Sequence, residues 1–336
     1  MNTISIGDLA QVFQNQRQSV QVKSDLARLA QELASGQKAD ISTSGSGDFG
    51  PVIGLERSIK ANLAYQTATT EAGLFASSMQ ASLELVQNQA ADLAPSLLMA
   101  GSSQSELVIG INTEDAKSKF DAVISALNTR VADRYAFSGA ATDRRALSDA
   151  NTMLADLQIA IAAETTAAGV AAAVDIWFDT PAGGFDTIAY TGSTSAMAPF
   201  RLSDNDAVDL DLTAADPGIR ATLKAFALAA LIGEGALAPN TDERAALATI
   251  AGENMLTADY DLTIVRARIG SGEARIDEAG ARNEAEKYSL EIARNEITAV
   301  DAYQAATELE ALTGQLETLY TLTVRLSRLS LSEYLR

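Results

Sequence analysis

The chain has 336 residues, no histidine, no cysteine, and 44 acidic against 25 basic side chains, a formal net charge of −19. The two missing residue types remove imidazole bases, thiol nucleophiles, thiolate metal sites and disulfides. The charge repels phosphate backbones and anionic membrane surfaces, and the lysines and arginines are scattered singly among acids, so neither nucleic acid nor membrane is an expected partner.

The first residues, Met1-Asn2-Thr3-Ile4-Ser5-Ile6-Gly7-Asp8, show no basic or apolar region of a cleaved signal peptide. From Ile6 to Leu33 apolar residues recur at helical spacing, ending in Val22, Leu26, Leu29 and Leu33. Ser35-Gly36 closes this helix, because glycine accepts the left-handed C-terminal position. A Ser/Gly loop follows from Ile41 to Gly50, and Pro51 is suited to open the next helix. That helix is expected over Pro51 to Leu98, with Leu55, Ile59, Leu63, Met79, Leu83, Val86 and Leu93 as its buried stripe and Pro95 near its end. After a break at Gly101, Asn112 or Thr113 caps a third helix, with Glu114 and Asp115 in its first turn. Its apolar face is Phe120, Val123, Ile124, Leu127 and Val131, and it runs to Arg134–Gly139.

Between Ala140 and about Asn240 the pattern predicts a small mixed α/β insertion. A helix near Leu147 to Ile161 leads to a strand at Val174 to Asp179; Pro181–Gly184 turns the chain into a returning strand at Phe185 to Tyr190. Asp204 to Leu212 alternates as a further strand, and Pro217 starts a helix to Ile232. Its apolar stretch, Ala225 to Ile232, is too short to span a bilayer. From Thr241 to about Leu331 the pattern is helical almost throughout, and a helix of ~90 residues would be on the order of 130 Å long. Leu309, Leu312, Leu316, Leu319, Thr323 and Leu326 follow alternating steps of three and four, a coiled-coil seam. The expected fold is therefore mainly α: an elongated rod of long helices from both chain ends, with the insertion between. Stripes at both ends that one molecule cannot cover predict packing of subunit on subunit.

Four stretches resemble the flagellin family, in its hook–filament junction branch. Leu26-Ala27-Arg28-Leu29-Ala30-Gln31-Glu32-Leu33-Ala34-Ser35-Gly36 is similar to the family's first helix and closing turn. Arg134-Tyr135-Ala136-Phe137-Ser138-Gly139 resembles the aromatic-x-Phe-Ser/Ala-Gly signature of the junction branch, carried here by Tyr135, Phe137, Ser138 and Gly139. Arg268–Ile276 and the ending Leu329-Ser330-Leu331-Ser332-Glu333-Tyr334-Leu335 also fit that pattern. The loop after Gly36 departs from it. The likeness covers roughly 1–139 and 241–336.

The resemblance implies an extracellular, non-enzymatic subunit of the bacterial flagellum without cofactor or metal, secreted without a cleaved signal through the flagellar type III channel. Its partners would be another hook-associated protein, flagellin, copies of itself in a ring, and an export chaperone on the C-terminal segment. It also implies chain ends disordered until assembly. The expected division is 1–45 with 290–336 for packing into a tubular core, 46–139 with 241–289 as a helical rod domain, and 140–240 as an outer domain. The assembly interface falls on Leu26, Leu29, Leu33, Leu309, Leu312, Leu316, Leu319, Leu326, Leu329, Leu331, Tyr334 and Leu335. The alternatives are a flagellin forming the filament itself and, in another class, a coiled-coil scaffold with an enzymatic insertion.

Two motifs are set aside. Gly45-Ser46-Gly47-Asp48-Phe49-Gly50 matches a dinucleotide fingerprint, but a helix precedes it where that fingerprint needs a strand. Asp204, Asp206, Asp209 and Asp211 lack the glycine and terminal acid of an EF-hand and read as the wet face of a strand, with a non-EF calcium site as the alternative. Asp301 and Tyr303 read as exposed helix residues.

Overall fold

The computed structural model describes residues 6–39, 50–103 and 105–334, with 6–12 and 326–334 by backbone alone. The chain divides into a terminal unit, Met1–Asn62 with Ala285–Arg336, and a central unit, Leu63–Glu284. The dinucleotide-like segment falls outside the described residues except for Gly50.

The terminal unit contains α1 (Ile6–Ser35), α9 (Ala302–Tyr334), the start of α2 (Gly50–Gly101) and the end of α8 (Thr241–Thr298). Gly36 has φ +70°, as its place after the last helical residue requires, and its N–H reaches the Glu32 carbonyl at 2.8 Å. The expected ~90-residue C-terminal helix is two helices, parted at 299–301. There Gln37 and Ala299 form an antiparallel bridge, and the N–H groups of Lys38 and Val300 donate to Thr298 and Gly36 at 2.9 and 3.1 Å. Asp301 is not an ordinary exposed helix residue: its Oδ1 accepts from the N–H groups of Tyr303 and Gln304 and caps α9.

In the central unit α2 continues past Pro95 to Gly101, since its neighbours Leu93, Ala94 and Leu97 are buried and packing outweighs one missing N–H. The expected third helix is two pieces. α3 (Glu106–Thr113) comes first, and α4 (Ala116–Leu127) begins after Asp115, so Asn112 and Thr113 end a helix and do not start one. Val131 lies in β1 (Arg130–Val131), paired antiparallel with β2 (Arg134–Tyr135) across Ala132 and Asp133, both at positive φ as a type I′ turn demands. Leu63, expected in the buried stripe of α2, is exposed.

The insertion is more helical than its pattern suggested. Val174–Asp179 belongs to α6 (Ala167–Asp179), which follows α5 (Ala150–Ala160). Val174, Trp177 and Phe178 are buried and Ile176 is exposed, which is helical spacing. Phe185–Ala189 is a π-helical turn that buries Phe185 and Ala189, four apart. Six-residue runs do not separate a period of 2 from one of 3.6, which is why both expected strands are helical turns in the structure. A true ladder joins β3 (Phe200–Arg201) to β4 (Ala207–Val208), in register Phe200 to Val208. The alternation after it holds: Val208, Leu210 and Leu212 are buried while Asp209 and Asp211 are exposed. α7 (Pro217–Gly233), capped by Asp216 on the Gly218 N–H, is buried on every side from Ala225 to Ile232 and forms the centre of this unit.

Candidate assembly surfaces

α1 and α9 are each other's main packing partner, so the two chain ends meet in one molecule. Between Gly36 and Val300 backbone bonds tie the exit of α1 to the exit of α8, just before α9 begins, and the buried Glu32 carboxylate braces the α1 side of this turn. Its Oε1 accepts from the Ala39 N–H at 2.9 Å and from Arg28 at 3.2 Å. Of the leucines expected at an assembly interface, Leu29 and Leu319 are buried and Leu26, Leu309, Leu312 and Leu316 are half-buried. Leu33 is exposed, its place in the buried stripe taken by Glu32. Leu326, Leu329, Leu331 and Tyr334 continue along α9 by backbone, and Leu335 lies outside the described residues.

The leucine seam is thus turned inward, and other residues remain outside. Phe13 and Val20 on α1, Ile53 on α2, Tyr288 and Ile292 on α8, and Tyr303, Tyr320, Leu322 and Val324 on α9 are all exposed large hydrophobics. Against them the terminal unit buries only Val22, Leu29, Val52, Ile59, Ala305 and Leu319 among its described hydrophobic residues. Sequence reasoning missed the outer set because it followed the strongest periodic stripe, which a helix pair uses first for its own core. The ring of Tyr320 lies 5.5 Å beneath the Lys23 Nζ, a contact worth roughly 0.5–1 kcal/mol at such a site.

The Tyr135–Gly139 segment is a junction inside the central unit. Phe137 is fully buried and its carbonyl accepts from the Ala214 N–H at 2.9 Å. Ser138 donates through Oγ to the Arg144 carbonyl, and its own carbonyl accepts from the Ser193 N–H at 2.8 Å. Gly139 has φ +62°, and a Cβ there would meet the carbonyl oxygens of Ser195 and Ser193 at 2.5 and 2.6 Å. Three consecutive residues therefore hold three later segments of chain at one corner, and Tyr190 closes it with its hydroxyl on the Ser193 carbonyl at 2.7 Å. Burial pushes the Tyr190 hydroxyl above its ordinary pKa. One residue earlier, Arg134 pairs with Glu71 and lies over the adjoining rings of Phe75 and Phe200, at 5.4 and 5.6 Å.

Two aspartates of the 204–212 segment, Asp206 and Asp211, face cations of the same chain, and Asp204 accepts from the Tyr65 hydroxyl. Asp206 accepts from Arg275 at 3.0 Å and from Arg282 at 2.6 Å, and Asp211 is 3.7 Å from Arg268. No group of acids suited to a metal ion occurs among the described residues. Lys224 forms a second cluster, 2.8 Å from both Asp175 and Asp179. Burial disfavours its charge, but the hydrogen bonds and charges of the two aspartates outweigh that and raise its pKa. These are structural ion pairs.

Charge divides as unevenly as burial. The terminal unit holds 11 basic and 14 acidic side chains, a net −3; the central unit holds 14 and 30, a net −16.

Residues 254–335 match the family model of the bacterial flagellin C-terminal helical region. No curated protein matches the chain. Among solved structures, one assigned to a flagellar hook-associated protein of Vibrio parahaemolyticus shares the fold, with a TM-score of 0.53 at 14% identity over 76% of this chain and 99% of that one.

Proposed function

We propose that this chain, a flagellin-family protein by its C-terminal helical region and fold, is the adaptor at the hook–filament junction of the bacterial flagellum. It is a flagellar structural protein; the finer assignment rests on the Tyr135–Gly139 signature. The observation that carries an assembly role is the terminal unit, in which both chain ends come together yet leave Phe13, Val20, Tyr320, Leu322 and Val324 exposed. Exposed apolar residues on a nearly neutral unit gain by packing against neighbours: each large side chain removed from water contributes about 1.5–3 kcal/mol. The mechanism in this reading is helix packing without bond chemistry. The neighbours are another hook-associated protein on one side, flagellin on the other and copies of this chain around the ring.

Residues 1–45 with 290–336 do the packing in this reading, 46–139 with 241–289 support it, and 140–240 form an outer part. Secretion follows the flagellar type III route, with a chaperone covering the C-terminal segment before assembly.

Deletion of the gene tests this directly. The junction role predicts bare hooks by electron microscopy with flagellin released into the medium. Bare hooks with no released flagellin would assign the chain to the filament instead, and intact swimming cells would end the flagellar reading.

A further inference from the structure

α9 carries a graded stripe of charge on the side facing away from its leucine seam. Glu310, Gly314, Glu317, Thr321, Arg325 and Arg328 follow one another at steps of three and four, so they lie along one face of the helix. The acids occupy its first half and the arginines its second. Residues 310, 314, 317, 321 and 325 are all exposed. Glu310, Glu317 and Arg325 have no ion-pair partner among the described residues, whereas Asp206 in the central unit is paired with both Arg275 and Arg282. The helix dipole does not account for the order. Its influence fades within the terminal turn, and Glu310, Glu317 and Arg325 lie roughly two turns or more from either end of Ala302–Tyr334.

We infer that this stripe sets the register between neighbouring copies of the chain, which pack side by side, pointing the same way, with an axial offset of about 14 residues, roughly 21 Å. The inference rests on the flagellar reading, because a subunit joining different neighbours above and below must point one way along the axis. In register, like charges would face each other and repel. Shifted by about four turns, Arg325 and Arg328 of one copy come level with the interval between Glu310 and Glu317 of the next. Each copy offers its acidic half to one neighbour and its basic half to another, a head-to-tail contact that propagates without self-pairing. Val324, exposed beside Arg325 and one turn before Arg328, supplies apolar contact at the same level.

The chain has no cysteine, so introduced thiols report this register cleanly. Thr307 and Thr321 are exposed, lie near the same face and stand 14 residues apart. Cells making two copies, one Thr307→Cys and one Thr321→Cys, are expected to give a mixed disulfide dimer on oxidation of their isolated flagella, and neither variant alone is expected to dimerise. Arg325→Glu with Arg328→Glu should lower the yield by roughly tenfold, and adding Glu310→Lys with Glu317→Lys should restore it, since complementary charges act through register more than raw affinity. Dimers from each variant by itself mean in-register packing, and dimers from just one of the two mean antiparallel packing that crosses near that residue. Either result, or no dimer from a chain present in the flagella, overturns the stagger and leaves the flagellar reading standing. A chain absent from the flagellar fraction overturns both.

Discussion

The terminal and central units solve the burial problem in opposite ways. The central unit encloses α7 from Ala225 to Ile232, packs Phe178 against Phe185 and stacks Phe185 on Tyr190, and carries a net −16. The terminal unit has a net charge of only −3 and a core so thin that, among its described residues, exposed large hydrophobics outnumber buried hydrophobics, whereas those the central unit exposes, such as Leu107, Ile159 and Ile176, are few beside its core. High like charge keeps a surface in water and away from its copies, whereas low charge with exposed apolar area favours association. One chain thus holds a part that is finished when it folds and a part that is finished by its neighbours.

The sharpest way to break this comparison is to hollow the central unit. Phe226→Ala, at a fully buried site on α7, is expected to lower stability by about 3–5 kcal/mol in urea titration, by the lost burial and the cavity left behind. Gly139→Ala follows. It places a Cβ against two carbonyl oxygens at a left-handed φ, and a loss of about 2–4 kcal/mol in the same titration is expected from strain and clash.

Smaller and more local is Glu32→Ala, which removes the acceptor for the Ala39 N–H and the partner of Arg28. A loss of about 1–2 kcal/mol is expected, confined to the turn and visible as faster hydrogen exchange at the Ala39 amide with the α7 amides unchanged. Alkali tests the central unit again. Tyr190 and Lys224 both have folded pKa values above their unfolded ones, so the folded state holds extra protons there. Their contribution is fully present below about pH 10 and is lost as the pH rises through the raised values. The melting temperature should therefore fall above about pH 10, and Tyr190→Phe with Lys224→Met should flatten that fall.

The smallest stability effect sharpens the comparison most. Phe13→Ser, Val20→Ser and Val324→Ser together should move the urea midpoint by less than about 0.5 kcal/mol, as exposed sites do, while greatly reducing incorporation into flagella scored by immunoblot. Equal loss of stability and incorporation would mean that these residues belong to the fold and not to assembly.

Much of the helical framework was legible because long amphipathic runs carry their own signal. α1 closed at Ser35–Gly36 and α7 opened at Pro217 as capping chemistry predicts. The break at 299–301 was hidden, since its single acid, Asp301, looks like any surface residue until its bonds to Tyr303 and Gln304 are seen. In the insertion, Trp177 and Ile176 sit in a run too short to reveal its period. At the candidate interface the leucine seam was legible, but which face it turned to was not. Glu32 shows why: a buried acid makes sense only once the Ala39 N–H and Arg28 are found beside it, and no local pattern announces them.

Native-state hydrogen exchange on the full chain, free in solution and again in isolated flagella, tests the division between the two units most directly. The α1 and α9 amides are expected to exchange fast in the free chain and become protected in the flagellum, while the α7 amides are protected in both. Equal protection of α1, α9 and α7 in the free chain would contradict that division.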